Sequence, residues 1–477
     1  MEAARQYLDQ HKVQEVISKA VSAAYKARAE NLESFLADYF RVEAGGNIID
    51  KVTAREILDS RGNPTVEVDV YSAAGDLLAR SAVPSGASTG SNEAVELRDG
   101  DKRYLGKGVQ QAVANVSAIL APAVAGKDVT DLLSLDKALM EADGTELKEK
   151  AGGNAVTATS FALAEAGAAA RKVQLFQHLA STFHQGGEQP RKFRIPTPMV
   201  NILNGGKHAG GKLKIQEFMI VPRRACKFSY ALQIATEVYH ALGKILVESY
   251  GPSARNLGDE GGYAPSLDTP EEALTAIEEA IVKAGYVVGE DVRLALDAAA
   301  SEFYSDGKYE LESGKFFSTE EAVEYYEKMV DAHPALISIE DPLDEKDYEG
   351  WKLFTERLGS RIMVVGDDLY TTNCRLIEQG VANKWANSLL LKVNQIGTIS
   401  EAMDAARMSF ADNGQVIVSH RSGENSNTVI SDLAVAIDAG YIKTGATARG
   451  ERVSKYNRLL AIEEFLNEEG LLDVREE

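Results

Sequence analysis

The chain has 477 residues, 44% of them hydrophobic and 26% charged, the profile of a globular protein too large for a single hydrophobic core. Its formal net charge of −21 argues against a nucleic-acid binder, which needs a basic footprint to release counterions from phosphates. Cys226 and Cys374 are too few for a disulfide framework, no apolar run is long enough to span a bilayer, and the polar helical start carries no secretory h-region, so a cytoplasmic protein without membrane partners is expected.

Taken in chain order, the sequence divides into three parts. In residues 1–46, Val13, Ile17, Val21 and Ala24 recur at helical spacing, the pattern breaks over residues 27–31, and Leu32, Phe35, Leu36, Tyr39 and Phe40 resume it, which predicts a short helical hairpin with one apolar face. Residues 47–190 read as an α+β domain. It opens with the alternating strand Thr65-Val66-Glu67-Val68-Asp69-Val70, expected to be antiparallel with one solvated face. Helices follow to about residue 183, among them a buried one in the Ala-rich stretch 151–170, and then a linker at Gln185-Gly186-Gly187-Glu188-Gln189-Pro190.

Residues 191–477 carry the most informative pattern. Short apolar runs stop at Asp297, Glu340, Asp367, Lys392, His420 and Lys443, and the last five of these recur every 23 to 28 residues. Strands buried on both faces read this way, and the interval is that of one strand-plus-helix unit, so a β/α barrel is predicted. Chemistry on such barrels sits at the C-terminal strand ends, where these six side chains fall.

Three carboxylates converging from separate strands, Asp297, Glu340 and Asp367, repel one another unless a cation lies among them. An all-oxygen set suits magnesium; salt bridges to Lys392 and Lys443 are the structural alternative. A lysine beside a metal has its ammonium form disfavoured and becomes a general base for a proton α to a carboxylate, a pairing of lysine and magnesium already known in other enzymes. Glu217 and Glu260, the latter in Gly258-Asp259-Glu260-Gly261-Gly262, are candidates for a carboxyl pair that holds a proton for a leaving hydroxide, although Glu217 alone reads equally as a surface or capping residue. Ser419-His420-Arg421-Ser422-Gly423 offers a guanidinium, hydroxyls and backbone donors for a phosphate dianion. Pro84-Ser85-Gly86-Ala87-Ser88-Thr89-Gly90 is either a plain loop or a lid.

At these residues the chain resembles the enolase family from about Val52 to Glu464. The match is carried by residues 54–67, 85–90, 216–219, 258–262, 338–342, 366–369, 389–397 and 419–424, and by Asn204-Gly205-Gly206-Lys207-His208-Ala209-Gly210. The resemblance implies an α+β cap over a TIM-like barrel with a ββαα start, a homodimer, and dehydration of 2-phosphoglycerate to phosphoenolpyruvate with two magnesium ions per site. It implies Asp297, Glu340 and Asp367 as ligands of the first ion and Ser88 as a ligand of the second. Lys392 would take the C2 proton, and Glu260, supported by Glu217, would protonate the leaving hydroxyl. Lys443 would pair with the substrate carboxylate, Arg421 and Ser422 would bind phosphate beside Ser419, and His208 and His420 would line the pocket. The chain departs from the family pattern at Asn425-Ser426-Asn427-Thr428-Val429, where two acids are usual, at Arg223-Arg224, and at Lys207 and Lys214.

Residues 1–42 are not part of ordinary enolases. Their apolar hairpin is similar to the dimerisation-and-docking module of protein kinase A regulatory subunits and related ciliary proteins, which pairs into a four-helix bundle and accepts an amphipathic helix. This implies a scaffold partner, with a pool tethered in a cilium or flagellum, and leaves open an interaction protein that uses the enolase body as a scaffold.

Overall fold

A computed structural model describes residues 2–86, 90–185, 187, 190–209, 212–223 and 227–474, without the side chains of residues 3, 4, 207 and 208. The N-terminal segment forms three helices where a hairpin of two is expected: α1 (Glu2–Gln10), α2 (Val13–Ala27) and α3 (Leu32–Glu43). Lys12, with φ 48°, lies in the left-handed region and separates α1 from α2. The predicted break lies between α2 and α3. Arg28, also left-handed, closes α2, and the Asn31 side chain caps α3 by accepting from Ser34 N at 2.9 Å. Among the described side chains of these helices only Ala20 and Ala24 are buried, and ion pairs Lys172–Asp38 and Arg41–Asp76 join α3 to the body.

The next part is an antiparallel sheet of β1 (Ile49–Leu58), β2 (Pro64–Ser72) and β3 (Leu77–Ala82), with β2 in the middle. Val66, Val68 and Val70 face the core, packed under helix Gly153–Arg171, whose alanines are nearly all buried as the composition predicts. The opposite face of β2 is not solvated as expected. Asp69 is fully buried because Arg55 and Arg80 from the flanking strands cover it, Arg80 Nε donating at 2.8 Å, and together they hold its carboxyl below the usual range despite burial.

A closed eight-stranded barrel follows. Its strands are β4 (Thr197–Asn204), β5 (Glu217–Pro222), β6 (Val292–Asp297), β10 (Leu336–Glu340), β11 (Met363–Gly366), β12 (Ser388–Leu391), β13 (Gln415–Ser419) and β14 (Tyr441–Lys443). A small sheet of β7 (Tyr304–Ser305), β8 (Lys308–Glu312) and β9 (Lys315–Phe317) is inserted after β6. All six predicted charged-end strands are present. β5 runs antiparallel to both β4 and β6, and helices Phe228–Tyr250 and Pro270–Lys283 precede β6, which gives the ββαα opening. The barrel interior is filled by Met199, Met219, Val221, Ala295, Val365, Leu390, Ile417 and Tyr441, a plug on which the mouth residues rest. Among the described residues no helix is long and apolar enough to cross a membrane.

Candidate active site

Strand register assembles the mouth. Glu217 pairs with Asp297 across β5 and β6, and Asp297 with Glu340 across β6 and β10, so three carboxylates stand in one row. Asp367 follows β11 two residues beyond the partner of Glu340. The Lys443 ammonium closes the row, 3.0 Å from Asp297, 2.8 Å from Glu340 and 3.2 Å from Glu217, all of them buried. Lys392 donates to Asp367 Oδ2, and Gln395 Nε2 donates to Asp367 Oδ1 at 2.8 Å. The lysine bridges named as the structural alternative are thus formed.

Burial, and then the negative charge of Glu260, push the Glu217 carboxyl well above its ordinary value; burial and Asp297 do the same to Glu340. Asp367 goes the other way: burial raises it, but Lys392, helped by Arg421 and Lys443, holds it below its ordinary value. Both lysines are held above their ordinary value, Lys392 chiefly by Asp367 and Lys443 chiefly by Asp297, against the opposing effect of burial. The sequence argument expects a lowered lysine beside a cation. Here the nearest charges are carboxylates, which reverses the direction.

Sequence reasoning missed several residues. Asp341 is buried at φ 41° and accepts from the backbone N–H groups of Asp367, at 2.8 Å, and Asp368, at 2.9 Å. The carboxylates of Asp341, Asp367 and Asp368 come within 4.8 Å of one another, but both oxygens of Asp341 are committed to the turn, so it positions Asp367. Its signal was present, an acid directly after Glu340. Glu93, from the first domain, holds the Arg421 guanidinium at 3.0 and 3.2 Å, and no local pattern marks it.

Glu260 accepts from Asn201 Nδ2 at 3.0 Å, and His420 Nε2 stands 3.4 Å away. The flanking glycines are required: a Cβ on Gly261 would lie 2.7 Å from Ala448 O and one on Gly262 2.5 Å from Asn204 Oδ1. Glu217 is buried at the start of β5, so the surface and capping readings fall. Burial lowers the His420 imidazole to about 4 and keeps it neutral. Arg421 also donates to Asn394 at 2.9 Å; Ser422 Oγ accepts from Arg61 at 3.3 Å, and Ser419 Oγ donates to the His420 carbonyl at 3.0 Å. Ser85 and Gly423 exchange backbone bonds of 2.8 Å, so the segment leading to Ser88 starts on the loop that carries Arg421 and Ser422. Ser88 and the His208 side chain lie outside what is described.

At the departing segment, Asn427 donates to Ser81 at 2.6 Å and to Glu165 at 3.4 Å, while its Oδ1 accepts from Val429 N at 2.8 Å. An acid at 427 would instead confront Glu165, whose carboxyl burial already raises to about 8. Lys214 pairs with Glu310 at 2.7 Å.

Around the barrel, β12 and β5 are four strands apart in either direction, and so are β13 and β6. Lys392 therefore faces the Glu217 side across the mouth, and the Arg421 loop faces the Asp297 side. These features define a capped β/α-barrel protein with a carboxylate and lysine centre at its strand ends.

The comparisons refine that class. A family model described as the enolase C-terminal TIM barrel domain matches residues 192–476, and one described as the enolase N-terminal domain matches residues 49–179. A curated relative, the enolase of Methanocaldococcus jannaschii, is 50% identical over 418 residues, spanning 88% of this chain and 95% of the relative. The chain belongs to the enolase family, whose members are metal-dependent lyases.

Proposed function

We propose that the chain catalyses the reversible dehydration of 2-phospho-D-glycerate to phosphoenolpyruvate, the enolase step of glycolysis and gluconeogenesis. The observation that carries this reading is the opposition of Lys392 and the Glu217–Glu260 pair across the mouth, because an elimination needs a base on one face of the substrate and an acid on the other. Lys392 takes the C2 proton, the C2–C3 double bond forms, and the C3 hydroxyl leaves as water with a proton from Glu260. Glu217, pushed up by burial and by its neighbour, keeps that proton on the pair. Arg421 and Ser422 grip the phosphate beside Ser419, Lys443 grips the carboxylate, and His208 and His420 line the pocket.

The donor set suits magnesium. Among the described residues, seven carboxylates (Glu217, Glu260, Asp297, Glu340, Asp341, Asp367 and Asp368) meet Lys392, Lys443 and Arg421 at the mouth, an excess of negative charge that a hard cation relieves. Asp297, Glu340 and Asp367 would hold one ion and Ser88 with the phosphate a second, and such ions supply Lewis-acid stabilisation of the dianion formed at C1. With the charge of Asp367 and Glu340 so engaged, Lys392 would lose what holds its proton. We assign the enzyme to the cytoplasm as a homodimer, as the family resemblance implies.

A second reading, attachment to a scaffold's amphipathic helix with a tethered ciliary or flagellar pool, is favoured by one observation. Tyr7, Leu8, Val16, Ile17, Val21 and Phe40 are large apolar side chains exposed on α1–α3. In its extreme form catalysis is incidental and the body is a scaffold.

The test is turnover of 2-phosphoglycerate with magnesium, with chelator, and in Lys392→Ala. Magnesium-dependent turnover that the variant loses by at least about 100-fold supports the lyase. A folded, magnesium-saturated protein without turnover sinks it.

A further inference from the structure

Arg452, third residue of the closing helix Gly450–Glu468, has no exposed surface. A cation in the first turn of a helix opposes the helix dipole, and a buried guanidinium forfeits its hydration. What offsets this is a set of four acceptors on its two terminal nitrogens, with the Glu451 carboxylate 3.5 Å from Nε. Nη1 donates to His420 Nδ1 and to the Arg421 carbonyl, each at 2.6 Å, while Nη2 donates to the Ser422 carbonyl at 2.6 Å and the Asp259 carbonyl at 3.2 Å. Two of these carbonyls belong to the phosphate-side loop, and the third belongs to the residue directly before Glu260.

Arginine has no acceptor and does not deprotonate, so a ring nitrogen 2.6 Å from it must itself be the acceptor. His420 Nδ1 therefore carries a lone pair, and the single proton of the neutral imidazole sits on Nε2, the nitrogen that faces Glu260 Oε2 at 3.4 Å. Asn201 Nδ2 addresses that same oxygen. The Nε2–H therefore points at the oxygen that Asn201 already addresses, so the tautomer bears on the orientation of the Glu260 carboxyl. The adjacent Arg449 works alongside, joining the carbonyls of Gly258, at 3.1 Å, and Ser60, at 3.2 Å.

We propose that Arg452 is a positioning residue for the acid half of the dehydration: it fixes His420 as the Nε2–H tautomer and locks the Glu260 loop to the Arg421–Ser422 loop. The proposal rests on the reading of Glu260 as the proton donor, and it touches the acid side of the site, leaving the base, Lys392, on the opposite strand. Lysine cannot substitute, because its three N–H groups radiate from one atom whereas the acceptors are spread over two guanidinium nitrogens.

Two experiments test it. Neutron diffraction from wild-type crystals exchanged into heavy water should place deuterium on His420 Nε2 and none on Nδ1; deuterium on Nδ1 overturns the tautomer assignment whether or not any variant folds. Kinetically, Arg452→Lys keeps the charge and loses the fork. Its dehydration rate should fall about 100-fold, the cost of an ångström-scale misplacement. Exchange of the substrate's C2 hydrogen with heavy water, which needs only Lys392, should fall by less than about 10-fold, a loss in the range left when the base is untouched. Loss of both rates by one factor, or of neither, overturns the proposal. Wild type that performs neither exchange nor dehydration would sink the lyase reading instead, and the neutron result would still judge the tautomer.

Discussion

Replacing Lys443 by methionine removes the one ammonium shared by Asp297, Glu340 and Glu217 and puts a side chain of similar length in its place. Three buried carboxylates are then left without their common cation, and breaking a buried ion cluster from one side costs about 3–5 kcal/mol. With an unfolding entropy of roughly 2.1 cal/mol/K per residue over 477 residues, about 1 kcal/mol/K, this lowers Tm by about 3–5 °C. Magnesium should reverse much of the loss, because an ion among Asp297, Glu340 and Asp367 no longer competes with the lysine; at 100 times its Kd the ion returns about 2.7 kcal/mol. The assay is differential scanning calorimetry of both proteins at one pH, in chelator and in a magnesium series. The expected result is a lower Tm for the variant in chelator and a larger magnesium-induced rise than in wild type. An unchanged Tm in chelator, or the same magnesium rise in both, would refute the view that lysine and metal serve one set of carboxylates.

Three other outcomes follow from the same geometry. Asp341→Asn keeps one acceptor for two backbone donors, so it should weaken magnesium binding about 10–100-fold in calorimetric titration by misplacing Asp367. Glu165, raised to about 8 from 4.5, holds a proton in the folded chain that the unfolded chain has lost, so its contribution to stability falls as pH rises between those values; Glu165→Gln should flatten the pH dependence of Tm from 5 to 8 and be the more stable protein at pH 8. Deleting residues 1–46 should leave turnover unchanged, since the surface pairs Lys172–Asp38 and Arg41–Asp76 contribute about 0–1 kcal/mol each, while any scaffold attachment disappears in a pull-down with the candidate amphipathic helix.

The barrel was legible because each parallel strand is buried on both faces and ends in one polar residue, so Asp297, Glu340, Asp367, Lys392, His420 and Lys443 announce themselves by interrupting apolar runs. What stayed hidden depends on contacts between distant segments. Glu93 reaches Arg421 across 328 positions, and Arg452 reads in sequence as one more polar residue on a terminal helix. The buried Asp69 was misread for the same reason: alternation reports which residues share a face, and only the neighbouring strands supply the arginines that cover it. The break at Lys12 was missed because a left-handed lysine carries no signature in composition.

Glu217 fits neither group and explains the ββαα opening. In a barrel of eight parallel strands every mouth residue would end its strand, and an acid that begins one would fall at the closed bottom. β5 is reversed, so its first residue pairs with the last residue of β4, Asn204, and the last of β6, Asp297. The reversal delivers Glu217 to the mouth on the strand opposite Lys392, and there, with Glu260 beside it, it meets the conditions that raise a carboxyl: burial and a like charge. A parallel second strand would have put its apolar end, Ile220-Val221-Pro222, at the mouth and taken Glu217 away from Glu260. The irregular start of the barrel is therefore what allows one ring of strands to carry Lys392 on one side and the raised Glu217 carboxyl on the other, the base and acid sides of the proposed reaction.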